Sequence, residues 1–406
     1  MRLQKDKTFI IISVLIGSTI LSLALVSLSS YFRTELKTPV SYDVPNFIHI
    51  NNNWSQTAFY YGWCKDGRGT ANDPYIIENI EVESSNEIAC ILIENSYEHF
   101  IIRNCKFHNS RSGGIKLIQV SNGKLIENDC SFNDDFGIDL TSSEFIEIKN
   151  NTAYSNGGTG LYLRYSDYIT IVNNQATHNF HGIYLAWSSN NIIHQNIANN
   201  NEDVGVRLIR ESDYNNIENN VLNNNHIGIY ISHDCAQNFL IGNIANSNKF
   251  YGIESYDPCE IIANNTANYN KYYGICIRED QNTVVGNIAN YNGEYGIYSS
   301  YSLIEVFTNN IANYNNHSGI YFRRCDNNII ENNYANYNFQ NGFLLSGSQS
   351  NLVLGNIAMN NSCGIKMEDE ANYNEIRENT LSNNTVCYSQ DGSCYGNVFI
   401  ANVCYN

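Results

Sequence analysis

The stretch Gly286-Asn287-Ile288-Ala289-Asn290-Tyr291-Asn292-Gly293-Glu294-Tyr295-Gly296-Ile297 decides the fold, because the chain repeats it. One copy on, it reads Asn310-Ile311-Ala312-Asn313-Tyr314-Asn315, followed by Gly319-Ile320. Outward from there, glycine–apolar pairs recur from Gly114-Ile115 to Gly364-Ile365 in steps of 22, 23 or 24 residues. An asparagine column runs Asn104, Asn128, Asn151, Asn174 and onward to Asn402. A second column lies five residues after the first, from Asn109 to Asn384. Three residues before each first-column Asn stands an apolar residue, as in Ile101, Leu125, Ile148 and Ile171. Two residues after it stands a small one, usually alanine (Ala153, Ala176, Ala198), with Lys106 the misfit in the first copy. After the glycine, apolar residues alternate, as in Ile183/Leu185 and Ile229/Ile231, which is a strand pattern.

Three short strands and three turns fill about 23 residues, so each copy is one coil of a solenoid. Coils stack at the interstrand spacing of about 4.8 Å, and fourteen of them extend about 65 Å. Isoleucine and leucine columns fill the interior, and alanine stands where the cross-section narrows. Stacked asparagine amides bond the coils above and below, while asparagine also tolerates the backbone angles of a turn. Glycine takes the tight corner. A leucine-rich repeat has a similar period, but it needs LxxLxL and often a helix, and neither is present. A left-handed helix of strands uses a shorter, hexapeptide-based coil.

Composition agrees. Of 406 residues 68 are Asn, 27 Gly, 30 Tyr and only 4 Pro. With 43% apolar and 12% aromatic residues the chain can build a core, which excludes disorder. So little glycine and proline excludes collagen, and Asn with β-branched residues disfavours a helix bundle. Acids outnumber bases 40 to 23, a net charge of −17, so no nucleic-acid partner is expected.

Arg2, Lys5 and Lys7 precede an uncharged run, 8–32, long enough to span a bilayer. Residues 1–33 therefore read as a signal-anchor or as a signal peptide cleaved near Ser27-Leu28-Ser29. Either places the rest outside the cytoplasm, anchored at the cell surface or secreted. Residues 34–75 read as a linker and cap, and 76–406 as the solenoid with a closing coil. Twelve cysteines suit an exported chain with disulfides. Cys235 and Cys259 each lie seven residues after their glycine in adjacent coils, so stacking pairs them, and Cys387–Cys394 is a second candidate pair.

With these repeats, the sequence resembles the right-handed parallel β-helix proteins, specifically the NosD-like/CASH group with its PbH1 repeat. The resemblance covers Asp73 to the C-terminus, and the segment from Trp63 to Asn79 is similar to the opening of such domains. It implies an all-β, right-handed parallel β-helix found on prokaryotic cell surfaces.

Outward columns are where activity would sit. The residue after each Gly-Ile pair supplies Tyr184, Arg207, Tyr230, Glu254, Cys276, Tyr298 and Tyr321. The following turns add Arg210, His233, Asp234, Asp257, Arg278 and Glu279. Aromatic faces with carboxylates and arginines suit carbohydrate. The binding set is Tyr184, Arg207, Arg210, Tyr230, His233, Asp234, Tyr298 and Tyr321. Weak catalytic candidates are Glu254, Asp257, Arg278 and Glu279. The resemblance admits polysaccharide lyases, hydrolases and epimerases. Asp257-Pro258-Cys259 is similar to the Asp-Pro-His of uronate epimerases, with Cys259 in place of the histidine. A solvated charged edge is the plainer reading. Tyr269, Tyr291, Tyr314 and Tyr337 form a second aromatic column, either a stacked surface cover or a ligand strip. Copper delivery is a further possibility that the NosD resemblance raises, but Met359 and Met367 are the only methionines after Met1. His178 and His181 stand together with no carboxylate beside them in sequence. No metal site is expected, and Ca²⁺ has no residue support. The expected role is an exported structural or binding module for surface polysaccharide or envelope proteins, non-catalytic. The alternative is a polysaccharide-active enzyme.

Overall fold

The computed structural model describes residues 44–85, 87–278 and 282–405. They form a parallel β-solenoid with three faces. The first sheet has 15 strands, from Ile48–Asn51 through His181–Ala186 and Ile253–Ser255 to Val386–Gln390. The second has 16, and apart from its first pair, Cys64–Lys65 on Tyr75–Glu78, it is parallel throughout. The third face is held by short sheets such as Thr152–Tyr154 on Gln175–Thr177, and by single bridges between coils. Among the described residues no helix is long and apolar enough to cross a membrane, and the expected N-terminal span lies outside them.

Like stacks on like. Ile183, Leu185, Ile193 and Ala198 are fully buried, and so are their counterparts in neighbouring coils. Alanine and glycine share the narrow corner. A Cβ added to Gly182 would meet the Gly205 carbonyl oxygen at 2.5 Å and the Ala198 methyl at 2.7 Å. Close approach, rather than unusual backbone angles, therefore selects glycine in this column.

The asparagine columns are hydrogen-bond ladders. The side-chain oxygen of Asn196 accepts from the Asn174 backbone N–H at 2.9 Å and from Asn174 Nδ2 at 3.0 Å. Asn174 Nδ2 also donates to the Ile148 carbonyl at 2.8 Å. Each carboxamide thus joins three coils at a corner where the sheets leave backbone groups without partners. The left-handed residue of each corner is the one before the ladder position, as in Asn173 (φ 56°) and Gln195 (φ 54°). Asn104 and Asn109 are such left-handed residues (φ 51° and 61°), which corrects their expected place in the columns. The first rungs are Cys105 and Ser110, whose backbone N–H groups donate to Asn128 and Asn133. The misfit of Lys106 disappears, because the buried residue two positions on is Phe107.

Two more ladders were not separated by the repeat. One runs on the surface, where Asn290 Oδ1 accepts the Asn313 N–H at 2.7 Å. The other is internal and links Asn191, Asn215 and Asn238, then resumes from Asn328 to Asn397. In its middle stands Glu305, 1% exposed. Its carboxylate accepts from Asn282 Nδ2 at 2.7 Å and from the Ser299 hydroxyl at 3.1 Å. Burial pushes this carboxyl up to about 7.

The N-terminal end is covered, whereas Val386, Val398 and Ile400 of the last coil are exposed. The short helix Trp54–Tyr60 lays Trp54 on Tyr75 and Phe100, at 5.3 and 5.0 Å between ring centroids. At the other end Tyr388 stacks on Phe399 at 4.5 Å, beside a disulfide between Cys387 and Cys404. The expected pairs are corrected: Cys235, Cys259 and Cys394 are free and buried, and Cys387 bonds Cys404 instead. Cys259 pairs in register with Asn238, whereas Cys235 stands three residues earlier in its own coil. The turn after Gly252 is three residues shorter than the one after Gly228, so equal offsets reach different columns.

Two outcomes follow for stability. Asn287→Ala removes the acceptor of Asn265 and the donor to the Ile262 carbonyl, both buried. Its cost is on the order of 3 kcal/mol in urea unfolding, against about 1 kcal/mol for Asn290→Ala on the surface ladder. Glu305 holds its proton in the folded state at pH values where the unfolded chain has lost it. Stability therefore falls as pH rises from the unfolded carboxyl range through about 7. Glu305→Gln removes that slope: the variant gains on the order of 3 kcal/mol over the parent at pH 8.5 and almost nothing at pH 4.5.

Candidate active site on the outer face of the first sheet

Strand alternation sends the residue two after each corner glycine outward from the first sheet. Register stacks Tyr162, Tyr184, Arg207, Tyr230, Glu254, Cys276, Tyr298 and Tyr321 into one column. A neighbouring column, the residue just before each glycine, carries His181, Val204, Ile227, Tyr251, Tyr273 and Tyr295. Val204, Ile227 and Tyr251 form an apolar cluster of their own outside the main core, with Tyr230, Phe250, Tyr272 and Tyr273 packed on it.

Two charged centres lie in this aromatic setting. In the first, the Arg207 guanidinium lies 5.2 Å from the Tyr184 ring and 5.5 Å from that of Tyr230. Its Nη1 is 3.2 Å from His181 Nε2 and 3.7 Å from Asp203 Oδ2. A guanidinium only donates, so Nε2 accepts and the imidazole is neutral with its proton on Nδ1. Burial, with the Arg207 charge beside it, pushes His181 down to about 4. The carboxylate missing beside His181 in sequence is Asp203, brought by the next coil to 3.7 Å from Nδ1.

In the second centre Glu254, 4% exposed, lies beneath Arg278, whose Nη2 is 3.5 Å away. Tyr256 packs 4.8 Å from the Arg278 guanidinium, and its side chain favours the ionised form of Glu254. Burial raises the Glu254 carboxyl above the usual range, against the pull of Arg278. Burial also pushes the neighbouring Cys276 thiol up to about 12. Buried polar atoms without partners concentrate here. Of eight among the described residues, His181 Nδ1, Arg207 Nε and Arg278 Nε belong to these two centres. An unpaired buried donor costs about 1–3 kcal/mol, and a ligand oxygen would relieve it.

The other expected residues lie elsewhere. Arg210 is exposed on a left-handed turn and stacks on Trp187 at 4.5 Å. His233 and Asp234 are exposed on the next coil's turn, with His233 Nδ1 2.7 Å from the Ser232 hydroxyl. Asp257 is turned into the corner, where Oδ2 accepts the Cys235 N–H at 3.1 Å, and Cys259 is buried in the third ladder. Asp257-Pro258-Cys259 therefore does not stand as an epimerase-like site, and Asp257 does not join Glu254. Glu279 lies outside the described residues. Tyr269, Tyr291, Tyr314 and Tyr337 stack face to face, 4.8–5.1 Å apart and 3–5° from parallel. Each ring face is covered by the next ring, which corrects the ligand-strip reading. Sequence alone set His181 aside for want of a neighbouring carboxylate and passed over Asp203, Tyr251, Tyr273 and Tyr295. The repeated tripeptides Tyr251-Gly252-Ile253, Tyr273-Gly274-Ile275 and Tyr295-Gly296-Ile297 were the available signal. Among the described residues no group of three His, Cys, Asp or Glu side chains could hold a metal ion.

The chain belongs to the right-handed β-helix family. The family model described as right handed beta helix region matches 46–188, 146–265 and 252–403. No curated protein matches it. Among solved structures it is similar to the periplasmic alginate epimerase AlgG, at 14% identity and TM-score 0.45 over 88% of this chain and 83% of that one. It is also similar to the mannuronan C-5 epimerase AlgE6 A-module of Azotobacter vinelandii, at 12% identity and TM-score 0.35 over 82% and 88%. The PL6 polysaccharide lyase Pedsa3628 of Pseudopedobacter saltans matches at 13% identity and TM-score 0.41 over 88% and 92%. These likenesses are of fold. Each of the three is described as an enzyme acting on polysaccharide, and the expectation of a non-catalytic module is corrected against that finding.

One outcome tests the first centre. By NMR, the His181 imidazole shows no protonation step above roughly pH 5, and in Arg207→Ala its titration moves upward as the neighbouring charge is lost.

Proposed function

We propose that the protein is a polysaccharide-active enzyme that works on an acidic, uronate-containing polymer lying along the outer face of the first sheet. The observation that carries this reading is the pair of arginines, Arg207 and Arg278, each with a buried Nε that has no partner, on one sheet face with Tyr230 and the buried Glu254 carboxyl between them. Guanidinium suits a planar carboxylate, and tyrosine faces suit sugar rings.

The chemistry these groups support begins at C5 of a uronate. An arginine that neutralises the carboxylate makes the C5 hydrogen acidic and stabilises the charge that develops when a base removes it. His181, Glu254 and the Tyr184 and Tyr230 phenols are proton-carrying groups within two coils of Arg207. Return of a proton to the other face of C5 gives the epimer. Breakage of the C4–O bond, with the proton delivered to the leaving oxygen, gives an unsaturated uronate and a new chain end. Hydrolysis is the less favoured route, because it needs a second carboxyl beside Glu254 and Asp257 is committed to the corner.

An extracytoplasmic location, with the run 8–32 as anchor or signal, belongs to the same proposal. The Cys387–Cys404 disulfide and that run support it. Assignment to the NosD-like/CASH group is also part of it, supported by the 22–24-residue coil and the Trp63–Asn79 segment.

Incubation with a panel of uronate polymers in D₂O tests the reading. Deuterium at C5, or the ultraviolet band of an unsaturated uronate, is expected. Arg207→Ala and Glu254→Gln each lower kcat/KM by about 100-fold or more, with circular dichroism unchanged. Neither deuterium uptake nor unsaturated product on any uronate polymer would sink it.

A further inference from the structure

Five coils along the same face from Arg207 stand Arg323 and Arg324, about 24 Å away by the stacking of Arg207, Tyr230, Glu254, Cys276, Tyr298 and Tyr321. Both are exposed. Arg68, Arg103, Arg207, Arg278 and Arg377 each face a carboxylate. Arg323 and Arg324 face none within ion-pair distance among the described residues, in a protein of net charge −17. Tyrosines orient them instead. The Tyr298 side chain raises the Arg323 guanidinium above its ordinary value. Arg324 Nη1 is 3.3 Å from the Tyr301 hydroxyl, and its guanidinium lies 5.5 Å from that ring.

The two arginines line a cavity of about 550 Å³ with Ser346, Gly347, Gln349, Asp326, Asp369 and Glu370. Gly347 keeps it open: it has φ 60°, and a Cβ there would press on Arg324 Cγ at 3.3 Å. Asp326 is occupied by the Gln349 N–H and Asp369 by the Ser346 hydroxyl, both at 2.7 Å. A lining that mixes guanidinium with carboxylate, hydroxyl and amide suits a ring bearing one carboxylate and several hydroxyls. The three acids of the lining repel phosphate, with its greater charge, more strongly than a single carboxylate.

We infer that Arg323 and Arg324 form a distal subsite that holds the carboxylate of a uronate several residues along the chain from the one at Arg207, so that the enzyme engages long acidic chains internally. The inference rests on the polymer-active reading of this face. The geometry behind it is a single column that register carries from Arg207 to Tyr321, two residues before Arg323, buried at Glu254, Cys276 and Tyr298 and half-buried at Tyr230 and Tyr321.

Binding of an oligogalacturonide series, from disaccharide to dodecasaccharide, to the full chain by calorimetry tests it. Affinity is expected to rise with length until the oligomer reaches from Arg207 to Arg324. In Arg323→Ala/Arg324→Ala the longest oligomers bind at least about tenfold more weakly and the shortest bind as before. Equal length dependence in parent and variant would overturn the subsite alone. An equal loss for a neutral cello-oligosaccharide series would overturn its assignment to a carboxylate. No binding of any oligogalacturonide to the parent, together with no turnover, would remove the polymer reading and the subsite with it. The Lys366→Ala variant, on the same face but outside the cavity lining, controls for a general loss of positive charge.

Discussion

The solenoid depends on one interaction, the carboxamide that joins three coils. Parallel strands satisfy their own backbone groups, but each coil must turn three times, and every turn strands an N–H or C=O away from water. An asparagine side chain has the acceptor and the donors to serve the coil on either side, and the repeat returns it to the same place in each coil. Once that column is fixed, the rest follows. The residue before it must take a left-handed turn. The residue two after it is usually alanine, because the facing corner glycine approaches within van der Waals contact, with Phe107, Leu222 and Leu381 the larger exceptions. The interior closes as stacked columns, mostly isoleucine, leucine and alanine, with Val284, Phe307 and Phe343 among the substitutes.

A ladder tolerates little irregularity, and the irregular coils are where the unusual chemistry collects. The turn after Gly252 is short, the register slips between Asn238 and Phe239, and the third ladder loses its asparagine to Cys259 and then to Glu305. These same coils carry Glu254, Cys276 and Arg278 on the outside. Local departures from the repeat at a candidate site are what is expected when a site has been fitted into an otherwise uniform scaffold.

Charge is distributed in the same manner. Several of the protein's few cations lie on or beside one face, over tyrosine and tryptophan rings. Aromatic contact orients these guanidiniums; Arg207 and Arg278 also face carboxylates, while Arg210, Arg323 and Arg324 face none within ion-pair distance among the described residues.

The fold was legible in the sequence because a solenoid writes the same sentence in every coil. Gly182, Ala198 and Asn196 each sit in a column that any neighbouring copy predicts. The outward column from Tyr184 to Tyr321 was legible for the same reason. What the repeat could not show is what neighbouring coils bring together. Asp203 reaches His181 from the next coil, Arg278 covers Glu254 from the next, and Cys387 finds Cys404 rather than Cys394. Equal offsets from a glycine placed Cys235 and Cys259 side by side, and a turn three residues shorter separated them. Sequence determined the columns, since each is set by the local demands of one coil. Tertiary structure alone decided the contacts across columns, because these depend on the length of each turn and on side chains that meet only when the coils stack.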